Sequence, residues 1–152
     1  MQKLHFSTTI KAPKKKVYNT MLDDSTFRVW TRAFNPKGSW FEGDWNEGSK
    51  IRFVGPDDNG KLEGMVSRVR DNRPYEYVSI EHLGVIHDNK EDTTSPEAKK
   101  WSPAFENYTF KERNGATELL VDMDTDDEHK KMFEDMWPKA LERLKELAEH
   151  TA

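Results

Sequence analysis

Residues 125–150 constrain the fold more than any other stretch. Met132, Met136, Ala140, Leu141, Leu144, Leu147 and Ala148 recur there at helical spacing, and charged residues fill most positions between them. A helix of that length spans roughly 36 Å, and its apolar stripe has to lie on a surface equally long. The preceding segments supply such a surface, because they are short runs rich in Trp, Tyr and Phe. The expected class is α+β, a sheet wrapped around one long C-terminal helix with room for a guest.

The rest of the chain divides at its turn residues. Leu4 to Ile10 reads as a strand, and Pro13 opens a helix that runs to about Leu22. Asp23-Asp24-Ser25 offers cap chemistry for a second short helix carrying Phe27, Trp30 and Phe34. Strands are expected from Ser39 to Trp45, Lys50 to Val54, Lys61 to Arg70 and Tyr75 to Leu83. A last hairpin pairs Ala104 to Lys111 with Thr117 to Met123 around Asn114-Gly115. Asp88 to Lys100 is too polar for a core and reads as an exposed loop. Thr125 and Glu128 stand in capping-box register for the final helix, which Pro138 should bend.

Apolar and charged residues each make up 34% of the 152 positions, so the core is modest and leans on its aromatics. One domain over residues 1–152 suits this length. A net charge of −4 offers no basic face for phosphates, which argues against a nucleic-acid partner. Lys14, Lys15 and Lys16 read as solvated residues of a first helical turn. Without cysteine there is no disulfide or thiol chemistry. No run is long and apolar enough to span a membrane, and Met1-Gln2-Lys3 begins no signal-peptide pattern. A cytoplasmic monomer is the expectation.

Ile10-Lys11-Ala12-Pro13, Val17, Trp30, Gly48-Ser49 and Trp137-Pro138-Lys139-Ala140-Leu141 carry a resemblance by their order and spacing. They are similar to homologues of the activator of the Hsp90 ATPase, within the START and pollen-allergen-like helix-grip superfamily. The likeness runs from about Leu4 to Glu149. It implies a curved antiparallel helix-grip sheet of about six or seven strands holding the C-terminal helix. It also implies a cavity between sheet and helix, closed by the two short helices. Members of the family bind hydrophobic small molecules or chaperones, or act as enzymes.

Strand alternation assigns candidate cavity residues. Leu119, Val121 and Met123 share a face, and Glu106, Tyr108 and Phe110 should match them. Ile51 and Phe53 should point inward too. For the strand from Tyr75 the matching set is Tyr77, Ser79 and Glu81, although Val78 and Ile80 compete for that side. Trp30, Phe34, Trp40, Met136 and Trp137 complete an aromatic wall suited to a planar or aliphatic guest.

Glu81 and Glu106 are thereby candidates for an acid/base pair with raised pKa values, or each pairs with a base such as Arg68. His82, His87 and Asp88 fit no metal-ligand pattern. Asp122-x-Asp124-x-Asp126 fails as a calcium loop, with Asp127 where glycine is needed and Phe133 where glutamate is needed. No catalytic residue, metal or cofactor is assigned. The leading expectation is binding of a hydrophobic small molecule. The alternatives are a protein-interaction module, for instance toward a chaperone, and an enzyme using cavity carboxylates.

Overall fold

The computed structural model describes residues 1–150. In chain order it comprises β1 (Gln2–Ile10), α1 (Lys14–Leu22), α2 (Asp24–Trp30), a 3-10 turn (Thr31–Ala33), β2 (Trp40–Gly43), β3 (Lys50–Pro56) and β4 (Leu62–Arg73). There follow β5 (Tyr77–His87), β6 (Lys90–Asp92), α3 (Pro96–Lys99), β7 (Ala104–Arg113), β8 (Ala116–Thr125) and α4 (Lys130–His150). All eight strands join one curved antiparallel sheet in the order β1-β8-β7-β5-β4-β3-β2, with β6 paired to β5 off that path.

Helix α4 buries Trp137, Ala140, Leu141, Leu144 and Ala148 against β1, α1 and α2. These positions follow the helical period, so one stripe meets the core while the charged faces stay wet. Met132 falls off the stripe and is exposed. The helix is continuous through Pro138. Its start differs from the expected capping box: Thr125 ends β8, and the Asp126 carboxylate instead accepts the His129 backbone N–H at 2.8 Å. Burial pushes the Asp126 carboxyl up. The bonds from the His129 N–H and ring outweigh it, helped by Lys100, and hold it below its ordinary value.

Two tryptophans finish α1. A helix leaves its last carbonyls without intrahelical donors, and the indole N–H groups of Trp30 and Trp45 fill two of them, on Met21 and Leu22, each at 3.1 Å. At the other end of α1 the Lys14 N–H donates to the Glu112 carboxylate at 2.7 Å. Asp23 precedes α2, but its side chain makes no cap bond.

The polar stretch 88–100 is not a loose loop. Asp88 and Asn89 both have positive φ, which makes a tight two-residue turn and folds β6 back onto β5. Ser95 then caps α3, and Ala98 is fully buried. Gly84 makes this fit possible, since a Cβ there would stand 2.3 Å from the Asp92 carbonyl oxygen. Composition predicted exposure, and most of these side chains are exposed; the order of the segment comes from local turn chemistry and one buried alanine.

The inner face carries Ile51 and Phe53, Val78 and Ile80, Tyr108 and Phe110, and Leu119, Val121 and Met123. Val78 and Ile80 win the contested parity of β5, because two β-branched side chains gain more from burial than Tyr77, Ser79 and Glu81. The last three therefore lie on the outer face. Tyr77 sits beneath the Arg73 guanidinium, Ser79 bonds Asn107, and Glu81 pairs with Arg68. Trp40 also departs from the expected cavity wall. It is opposite Val54 on the outer face and packs in a second, smaller cluster with Val54, Val66 and Ile86.

Candidate functional site

A line of polar side chains crosses the inner face. Ser67 on β4 and His82 on β5 are direct cross-strand partners, and the Ser67 Oγ lies 2.7 Å from the His82 Nδ1. Glu106 on β7 lies diagonally beyond His82, with its Oε1 at 3.5 Å from the His82 Nε2. Tyr108, two residues further along the same face, donates its O–H to the Glu106 Oε2. Ser67, His82 and Tyr108 are buried, and Glu106 is partly exposed.

Burial pushes the Tyr108 phenol well above its ordinary value, and the neighbouring Glu106 carboxylate adds to the rise. The phenol therefore stays protonated and acts as a donor. If Ser67 donates to Nδ1, a neutral His82 ring carries its proton on Nε2, directed at Glu106. The line then feeds hydrogen-bond donors toward one carboxylate. Glu81 has no part in it, since it stands on the opposite face with Arg68 at 2.5 Å. The acid/base pair considered for Glu81 and Glu106 is not formed.

Aromatic rings fill the deep part of the space between sheet and α4. Trp137 is the hub, with ring centroids 5.0 Å from Phe34, 6.0 Å from Trp30, 6.1 Å from Phe6 and 6.2 Å from Tyr108. Phe27 links Trp30 to Phe41, Trp45 and Phe53. Of the expected cavity wall, Trp30, Ile51, Phe110 and Trp137 are packed core side chains. Two open clefts lie at the surface, the first beginning beside Phe34. One of 420 Å³ is bounded by Asn35, Lys37 and Asp58, and one of 820 Å³ lies on the outer face by Arg70, Arg73 and Tyr77.

The inner face is less tightly covered at one end. Phe53, Met65 and Val85 are in register on β3, β4 and β5 and are all partly exposed. Their neighbours one step inward, Ile51, Ser67 and His82, are buried. Antiparallel order brings the last residues of β3, β5 and β8 to the same end as the first of β4 and β7. Helix α4 also begins there, with Phe133 and Met136 partly exposed. Met65, Val85 and Met136 belong to neither packed cluster. Glu106, near the start of β7, stands at this same end of the inner face.

Sequence reasoning missed Ser67 and the place of His82. The signal was present in the alternation Val78, Ile80, His82, which puts the histidine inside once the two aliphatic residues set the face. Elsewhere, Asp126, Glu128 and His129 bring potential metal-ligating atoms together, but at the exposed start of α4. Among the described residues, no helix is long and apolar enough to cross a membrane.

A curved antiparallel sheet closed by a long C-terminal helix, with short helices over its inner face, defines a helix-grip protein. The family model described as Activator of Hsp90 ATPase homolog 1-like protein matches residues 11–149, so the chain belongs to that family. No curated protein matches it. Among solved structures, a protein from Nitrosomonas europaea is 14% identical, with a TM-score of 0.73 over 95% of this chain and 92% of that one. The Aha1 dimer from Colwellia psychrerythraea, solved in solution, is 19% identical, with a TM-score of 0.71 over 99% and 98%. A protein from Mesorhizobium loti is 15% identical, with a TM-score of 0.71 over 99% of both chains. At these identities the likeness shows the fold.

Proposed function

We propose that the chain binds a small hydrophobic molecule in a half-open crevice between the inner face of the sheet and the start of α4. The observation that carries this reading is the set Met65, Val85 and Met136, apolar side chains partly buried yet outside both packed clusters. Apolar surface left between two elements gains free energy when a guest removes it from water. Aromatic rings pack the deep part of the space around Phe27 and Trp137, which supports setting the guest at the end where α4 begins.

A second reading is favoured by the family description, which names an activator of the Hsp90 ATPase. In that reading the polar outer face, with Arg68–Glu81 and His5–Asp122, meets a chaperone. An apolar fluorescent probe separates the two. Binding in the crevice raises probe emission and raises the melting temperature by mass action. The variant Val85→Trp, which fills the crevice, abolishes both effects. Equal probe binding by wild type and Val85→Trp would contradict the crevice reading.

A further inference from the structure

Glu106 is chemically out of place on the inner face. The residues paired with it across the sheet are Ile80 and Met123, and only 20% of its side chain is exposed. Removing an ionised carboxylate from water is costly unless donors compensate. Two other partly buried carboxylates of the sheet have guanidinium partners: Glu42 meets Arg52 at 2.8 Å and Glu81 meets Arg68 at 2.5 Å. Among the described residues, Glu106 has no lysine or arginine in ion-pair range. It has Tyr108 on one oxygen and His82 beside the other. A carboxylate offers about four acceptor sites, so capacity remains.

We propose that this carboxylate receives a cationic nitrogen: the crevice takes a small amphipathic amine, with its ammonium on Glu106 and its apolar body against Met65, Val85 and Met136. This rests on the crevice being a binding site and adds the chemistry of the head group. The protein groups already at Glu106 leave room for a donor and a positive charge. A carboxylate head would meet like charge. A hydroxyl could donate one hydrogen bond but brings no charge. An ammonium brings three donors and the compensating charge.

Three probes with one alkyl chain test the head group: octylamine, octanol and octanoate, titrated by calorimetry and located by methyl NMR at Met65 and Met136. Hydrogen bonds to charged groups lead us to expect octylamine to bind about ten-fold or more tighter than octanol. Octanoate should bind most weakly. In Glu106→Gln the affinity for octylamine should fall to that for octanol, which itself stays unchanged. Should that variant not fold, the ranking of the three probes on wild type decides alone. Octylamine binding no tighter than octanol would overturn the head-group assignment and leave the crevice standing. If no probe shifts either methyl, the crevice reading fails and the amine site with it.

Discussion

Tyr108 ties the polar line to the core. Its ring is part of the main hydrophobic cluster, and its O–H is spent on Glu106. Because the folded protein holds the phenol above its ordinary value of 10.0, the unfolded chain releases that proton first as pH rises. The contribution of Tyr108 is therefore fully present below that value and is lost as pH climbs beyond it. Urea melts between about pH 8 and 11 should show stability falling more steeply in wild type than in Tyr108→Phe. At neutral pH the variant should be less stable by about 1–2 kcal/mol, the loss of one hydrogen bond to a partly buried carboxylate. Identical pH profiles would show that the phenol is not held by burial. Individual side chains were legible in the sequence where apolar residues alternate without rivals, as in Leu119, Val121 and Met123. On β5 an aromatic residue and two β-branched residues claimed opposite faces, and choosing Tyr77 over Val78 misplaced Glu81 and hid His82.

Among the elements, β6 and α3 depend on features too small for a periodicity argument. The segment is held by a positive-φ turn at Asp88 and Asn89, by Ser95 capping α3, and by Ala98 beneath it. Amide exchange should accordingly be slowed at Ile86, whose strand gains a partner in β6, and at Ala98, relative to the exposed turn 57–60. Exchange at Ala98 as fast as in that turn would mean that α3 does not persist in solution. The large elements were readable because α4 repeats its apolar period over many residues and the Asn114-Gly115 turn has distinctive chemistry. The capping of α4 was not. The decisive acceptor, Asp126, lies one residue from the threonine that fits the sequence motif.

At the scale of the whole molecule, aromatic rings fill the space between helix and sheet around Trp137, and the proposed guest would sit where α4 begins. Around Trp137 the aromatic side chains meet each other, and truncation to alanine there belongs with core losses of about 3–5 kcal/mol. Met65, Val85 and Met136 lie outside that packing, and Glu106 stands on the inner face of β7 next to His82. The grip architecture could be read from the sequence because length and periodicity fix it. The extent of filling could not, since it depends on how nine or more large side chains interlock rather than on which face each occupies. The central claim is that a small apolar guest enters where α4 begins. A crystal structure of the protein grown with bromobenzene tests it most directly, because the anomalous signal of bromine marks the guest's position. A bromine peak in van der Waals contact with Met65, Val85 and Met136 is the expected result. A peak only in the cleft by Lys37 or the one by Arg73, with those three side chains closed upon each other, would contradict it.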